Sequence, residues 1–283
     1  KSVDTAALKN LLDWQIKSNS PGVIVLGTTG EFLTISDDER RTIVETTVKH
    51  IDSRIDVLVG TTNAYTPNAV RYSKEAQELG ADGLMILPPY YYKPTHDEIY
   101  NYYKAICGVV SIPIMIYNNP VDYKIDVTIE MFADLVSVPN IQAVKESTRD
   151  VTNVTRMRNA FGDRFKILCG VDTLALEELL LGADGWVAGL VCAFPAETVA
   201  VFRLAKAGKI AEAIAIYRWF MPLLELDIHA KLVQYIKFAE SKTGIGSETV
   251  RRPRLVLEGE ERKRIESIFD TGLKNRPTLP EYL

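Results

Sequence analysis

Cysteine and histidine are scarce in this chain, three of each, and neither type is grouped. Cys107, Cys169 and Cys192 are odd in number, widely spaced and set among apolar residues, which reads as free buried thiols rather than disulfides or a thiolate metal site. His50, His96 and His229 close no metal-spaced motif, so neither a metal nor a cofactor is expected. No apolar run approaches the ~18 residues of a membrane span. The opening Lys1-Ser2-Val3-Asp4 carries no apolar signal core, so the cytoplasm is the expected location and no membrane partner is expected. Basic blocks are absent too: 33 Lys and Arg stand against 37 Asp and Glu, for a net charge of −4. That balance argues against nucleic acid as a partner. There is no polar linker, and no Gly-x-Gly-x-x-Gly follows a strand; Gly244-Ile245-Gly246 lacks the third glycine.

What the chain does have is enough apolar residue, 47% of 283, to bury one large core. Short apolar runs rich in β-branched residues recur at 23–26, 55–59, 84–87, 114–117, 141–145, 166–169 and 186–190, each of strand length. Helical patterns lie between them. Ser36-Asp37-Asp38-Glu39 and Thr95-His96-Asp97-Glu98 both fit the capping box, and Thr66-Pro67 offers an N-cap followed by a proline in the first turn. Gly-Ala-Asp-Gly occurs twice, at 80–83 and 182–185, each time where a helical stretch gives way to an apolar run.

Strand alternating with helix predicts an α/β fold of βα units, a (β/α)8 TIM barrel, with a doubly wound open sheet as the alternative. Seven strands are visible. Residues 5–17 already read as a helix with Leu8, Leu11, Leu12 and Ile16 on one face, so the first strand is expected upstream of residue 1. The barrel is expected over residues 1–195. A C-terminal helical extension follows over 196–283, with three helical patterns starting near Ala196, Ala230 and Glu260.

A barrel gathers its chemistry at the C-terminal ends of its strands. Here those ends carry Gly27-Thr28-Thr29-Gly30-Glu31, Tyr90-Tyr91-Tyr92, Tyr117-Asn118-Asn119, Lys145 and Gly170-Val171-Asp172. Small residues in the first turn let backbone approach a ligand closely, and Thr28 and Thr29 donate from both hydroxyl and amide, which suits a carboxylate or phosphate oxygen. A lone lysine at a strand end ordinarily snorkels to water. Inside a barrel mouth, desolvation disfavours an ammonium, and a neutral amine forms an imine with a ketone. The protonated imine is an electron sink that lets a neighbouring C–H or C–C bond break. An acid/base is then required. Tyr117 is the candidate, with Thr28 and Tyr91 as a hydroxyl relay, because a phenol in water ionises only near pH ~10. Ordinary packing accounts for most of the 13 tyrosines.

These residues, together with Pro89-Tyr90-Tyr91-Tyr92-Lys93-Pro94, Tyr117-Asn118-Asn119-Pro120 and Val144-Lys145-Glu146-Ser147, stand in the order and spacing that resemble the dihydrodipicolinate synthase/N-acetylneuraminate lyase family. The resemblance covers nearly the whole chain. It implies a class I aldolase-type lyase with Lys145 as the Schiff-base lysine and Tyr117 as proton shuttle. Thr28 and Tyr91 complete the relay, Tyr91 coming from a neighbouring subunit of a homo-oligomer, dimer or tetramer. Thr28 and Thr29 would hold the carboxylate of a 2-oxo acid such as pyruvate, with Ser147, Gly170, Asp172 and Val187 also on the substrate.

One position departs from the synthases. Where they carry an arginine two residues after the proline of the tyrosine motif, this chain has Asp122, which would repel a second substrate carboxylate and accept from a hydroxyl or ammonium instead. Gly170-Val171-Asp172 is more similar to the sugar-acid lyases, although Asp172 also fits a helix cap. Gly182-Ala183-Asp184-Gly185-Trp186-Val187-Ala188-Gly189 and Tyr217-Arg218-Trp219-Phe220-Met221-Pro222 look most like pyrroline-4-hydroxy-2-carboxylate deaminases, whose substrate is a cyclic imine. An N-acetylneuraminate or 2-keto-3-deoxy sugar acid lyase, and a dihydrodipicolinate synthase, remain as alternatives.

Overall fold

The computed structural model describes residues 2–90 and 92–280. Strands and helices alternate from the start: α1 (Thr5–Lys17), β1 (Gly22–Val25), α2 (Asp37–Ile51), β2 (Asp56–Gly60), α3 (Thr66–Glu78), β3 (Gly83–Ile86), α4 (His96–Cys107) and β4 (Ile114–Asn118). Then come α5 (Pro120–Tyr123), α6 (Ile129–Leu135), β5 (Ile141–Glu146), α7 (Thr152–Phe161), β6 (Lys166–Cys169), α8 (Ala175–Leu180) and β7 (Gly185–Trp186). Four helices close the chain: α9 (Pro195–Lys206), α10 (Ile210–Leu224), α11 (Leu232–Lys242) and α12 (Gly259–Lys274).

The seven strands form one parallel sheet in sequential order, β1 through β7, with β1 and β7 at its ends. Sequential order has no reversal point, which removes the doubly wound alternative. Ile86, Ile116, Val144 and Ile167 point outward and are buried under the helices. Their immediate neighbours along each strand, Met85, Met115, Tyr117, Lys145 and Leu168, face the concave side, since a strand alternates faces with period two.

Local signals account for most of the helix boundaries. Both capping boxes form, Ser36 with Glu39 and Thr95 with Glu98. The cap of α3 falls one residue earlier than expected, on Tyr65, with Thr66 already helical and Pro67 in the first turn. The two Gly-Ala-Asp-Gly repeats do the same job. Gly80 (φ +92°) and Gly182 (φ +104°) turn the chain out of α3 and α8. The aspartates then staple the neighbouring strand, Asp82 Oδ2 accepting from Val57 N and Asp184 Oδ2 from Ile167 N, both at 2.8 Å.

Two expectations are corrected. β7 is a two-residue strand rather than a run over 186–190, because the amides of Gly189 and Leu190 donate to the Asp172 carboxylate instead of to a strand. The first of the three expected C-terminal helical patterns is two helices, α9 and α10, divided at Gly208 (φ +74°). Buried apolar residues fall into two clusters. One lies between the sheet and α1 to α7, and the other joins α8 to α12 around Phe194, Phe220, Phe238 and Phe269. All three cysteines are free, and burial pushes each thiol above its ordinary value. Among the described residues no helix is long and apolar enough to cross a membrane, and no group of three or more His, Cys, Asp or Glu is placed to hold a metal ion.

Candidate active site

The concave face of the sheet encloses a cavity of about 900 Å³. Val23 and Val25 of β1 line one side, Leu168 and Trp186 of β6 and β7 the other, and Met85, Met115, Tyr117 and Lys145 the wall between. Strand register decides which of these meet. After a register shift at Ile114/Met115, β4 and β5 pair Tyr117 with Lys145 and Asn118 with Glu146. Tyr117 and Lys145 therefore share the inward-facing row, and Lys145 Nζ lies 4.2 Å from the centroid of the Tyr117 ring. A one-residue slip would send the lysine to the helix side of the sheet.

Asn119 organises the far side of the tyrosine. Its Nδ2 donates to Tyr117 Oη at 3.1 Å and to Asp122 Oδ2 at 2.8 Å, while its Oδ1 accepts the Asp122 amide at 3.1 Å and caps α5. The Tyr117 hydroxyl is thus connected through one amide to the Asp122 carboxylate. Asp122 is half-exposed on the cavity wall, with Arg149 Nη2 at 3.7 Å. Arg149 was not anticipated from sequence. It neutralises part of the charge that the sequence assigns to Asp122 alone.

Thr28 hydrogen-bonds Tyr123, Oγ1 to Oη at 2.6 Å. Tyr123 sits against the Tyr117 ring (centroids 6.0 Å) and the Tyr90 ring (5.5 Å), and burial raises its phenol well above the ordinary value. Sequence reasoning missed it; Tyr123 lies at the end of α5, outside every strand end, and only its place six residues after Tyr117 hinted at a role. Thr28 and Thr29 line the cavity from the turn after β1. Tyr91 lies outside the described residues.

The remaining sequence candidates separate. Ser147, buried with no partner for its Oγ among the described residues, and Gly170 line the cavity beside Lys145. Gly170 leaves the space they need, since a Cβ there would come within 2.1 Å of Ser147 Oγ and 2.7 Å of Lys145 Cε. Val187 lines it too, its amide bonded to Cys169 O at 2.8 Å. Asp172 does not. It is fully buried behind the wall, and its carboxylate accepts from Trp186 Nε1 (3.0 Å), Gly189 N (3.1 Å) and Leu190 N (2.9 Å). Burial raises its carboxyl above the ordinary value, against the pull of those donors and of the Lys145 charge. It pins the loop after β7 rather than capping α8 through its side chain.

An amine beside a hydroxyl, at the end of an apolar cavity with threonine donors opposite, can hold a 2-oxo acid by its carboxylate and form an imine at its carbonyl. Comparison with known proteins agrees with that chemistry. Residues 1–271 match the model of the Dihydrodipicolinate synthetase family. A 4-hydroxy-tetrahydrodipicolinate synthase of Acidiphilium cryptum is 35% identical over 254 residues, covering 89% of this chain and 86% of the relative. One of Kosmotoga olearia is 35% identical over 255 residues, with the same coverage. The solved 4-hydroxy-tetrahydrodipicolinate synthase of Methylacidiphilum fumariolicum SolV superposes with a TM-score of 0.92 at 30% identity, over 96% of this chain and 91% of that one.

Proposed function

Because the chain belongs to the Dihydrodipicolinate synthetase family of class I aldolase-type lyases, we propose that it acts on a 2-oxo acid, or the cyclic imine of one, through a Schiff base on Lys145. The observation that carries this is the Lys145 amine held 4.2 Å over a tyrosine whose hydroxyl is wired through Asn119 to Asp122. Thr28 and Thr29 take the substrate carboxylate. The Lys145 amine adds to the C2 carbonyl or ring imine, and Tyr117 carries the protons that the addition and the departure of the displaced group require. The iminium then accepts the electron pair of a neighbouring bond.

For substrate we favour pyrroline-4-hydroxy-2-carboxylate. Lys145 would open the ring by transimination and a proton would leave the carbon beside the imine. The 4-hydroxyl would depart as water, and two hydrolyses would release ammonia and free the lysine. The acidic wall at Asp122 supports a substrate with a hydroxyl or amine there rather than a second carboxylate. A 2-keto-3-deoxy sugar acid satisfies the same requirement. A second reading, 4-hydroxy-tetrahydrodipicolinate synthase, is favoured by the relatives' names and by Arg149, which stands next to Asp122 and supplies a cation for a second carboxylate. The fold we propose is a (β/α)8 barrel whose remaining strand position lies between β1 and β7. The working form would be a homo-oligomer in which Tyr91 reaches a neighbour's site.

The test is a substrate panel with borohydride reduction and mass spectrometry. Pyruvate or the true substrate should inactivate the enzyme and label Lys145; label on another lysine, or inactivation with no added mass, overturns the imine mechanism. Turnover of pyrroline-4-hydroxy-2-carboxylate far above that of pyruvate plus aspartate semialdehyde is expected. The reverse order returns the protein to the synthase reading.

A further inference from the structure

A second carboxylate reaches the Lys145 cavity from outside the sheet. Asp227 lies just past α10, where its amide donates to Leu224 O at 3.0 Å, and its side chain joins the cavity wall that Lys145 also lines. The carboxylate packs directly on Gly189: a Cβ built there would come within 2.0 Å of Asp227 Oδ1. Gly189 has right-handed backbone angles, φ −81° and ψ −49°, which any residue adopts. The glycine is therefore required for space and not for conformation; it clears the position that the carboxylate occupies.

Among the described residues nothing uses that carboxylate. The one amide beside it, that of Gly189, is committed to Asp172 Oδ1 at 3.1 Å. Among the described residues no group donates a hydrogen bond to Asp227 and none forms an ion pair with it. Burial raises its carboxyl well above the ordinary value, the Asp172 charge adds to this, and the charges of Lys145 and Arg149 oppose it. Asp227 is only partly buried, so its carboxyl meets whatever fills the cavity and, without a protein partner, is open to a contact from the ligand.

We propose that Asp227 is a specificity-determining contact of this site, hydrogen-bonding a hydroxyl carried on the substrate chain beyond the carbon that Lys145 holds. A hydroxyl matches the group in either protonation state, because it both donates and accepts. A methylene at the same place leaves the carboxyl desolvated and unmatched, and a substrate carboxylate there is repelled. The inference deepens the functional reading above and rests on its Schiff base alone, not on the choice among its substrates.

The experiment measures, on the full chain, the concentration of a 2-oxo acid that gives half-maximal borohydride-trapped adduct at Lys145, counting intact and cleaved adducts together. 2-Keto-3-deoxygluconate is compared with 2-oxohexanoate, which has the same chain length and no hydroxyls. Wild-type protein should prefer the hydroxylated acid by about 10-fold or more, the worth of one buried hydrogen bond to a charged group. Asp227→Leu, which removes the carboxyl, and Gly189→Ala, which displaces it, should each bring the ratio to within about threefold of unity. No preference in wild type, or a preference that survives in either variant that still traps 2-oxohexanoate, overturns the assignment. If wild-type protein forms no adduct even with pyruvate, the Schiff-base reading fails and the contact falls with it; adducts without a hydroxyl preference sink the contact alone.

Discussion

Tyr117 and Tyr123 are neighbouring phenols with different surroundings, and the difference predicts different mutational behaviour. Tyr117 contacts the lysine by its ring and Asn119 by its hydroxyl. Tyr123 is turned to Thr28 at 2.6 Å. Tyr117→Phe should lower kcat by ~10²-fold or more, as expected for a positioned acid/base, with thermal stability close to wild type. Steady-state kinetics with kcat near wild type would assign the protons to another group. Thr28→Ala and Tyr123→Phe should each cost less, and their effects should not add. A double-mutant cycle on kcat/KM should give a coupling of ~1 kcal/mol, since either single change already removes the shared hydrogen bond. Additive effects would mean that the two hydroxyls act separately.

At the level of elements, the turn after β1 is tied to the C-terminal part of the chain rather than held by its own strand. Glu31 has a left-handed backbone, φ +56°, and its side chain is only 4% exposed. Its amide donates to Thr28 O at 3.0 Å, while its carboxylate receives Lys237 Nζ at 3.0 Å and the Arg251 amide at 2.9 Å, with Arg254 Nη1 at 3.9 Å. The last residue of Gly-Thr-Thr-Gly-Glu is thus a clamp between the Thr28-Thr29 turn and α11 with the segment that follows it. Glu31→Ala should destabilise the protein by about 3 kcal/mol in urea titration, because two half-buried cations lose their partner. It should also raise KM more than it lowers kcat, as the Thr28-Thr29 turn loosens. An unchanged KM would show that the turn keeps its shape without the clamp.

Over the whole molecule, buried acids set the pH dependence of stability. Glu178 is fully buried and neither oxygen has a hydrogen-bond partner among the described residues, the nearby Cys169 thiol being donated to Val171 O. Burial, with the Glu146 charge adding to it, pushes its carboxyl up to about 8, and burial pushes Glu240 up to about 7. A folded-state value above the unfolded one means that between roughly pH 4.5 and 8 the native state binds more protons than the unfolded chain, so stability falls as pH rises through that window. The surface carboxylate Glu39, drawn down to about 2 by Arg251, acts in the opposite sense but only below pH ~4.5, where protonation removes its contribution. Scanning calorimetry should therefore show Tm decreasing from pH 5 to pH 8. Glu178→Gln should raise Tm at pH 8 by about 2–4 °C and change it little at pH 5. A Tm that rises with pH over this window would contradict the burial of these groups.

What was legible in the sequence was whatever consecutive residues decide. Six of the seven β-branched runs, to within a residue at either end, the helix over Thr5–Lys17 and both capping boxes appear as read, because strand alternation and cap hydrogen bonds act within a few residues. The order of motifs also announced the family. Tertiary structure decided the rest. The length of β7 depended on Asp172 capturing amides 17 and 18 residues away. The meeting of Tyr117 with Lys145 depended on a register shift, and the partner of Thr28 lies 95 residues along the chain. Asp122 read alone as a repelling charge, yet Arg149 stands beside it. Asp227 carries no motif at all and joins the cavity wall only because the end of α10 delivers it onto a glycine of another loop. Hydrophobic period and cap chemistry repeat locally and can be summed along a sequence, whereas a contact across strands and helices exists only once register and packing have been chosen.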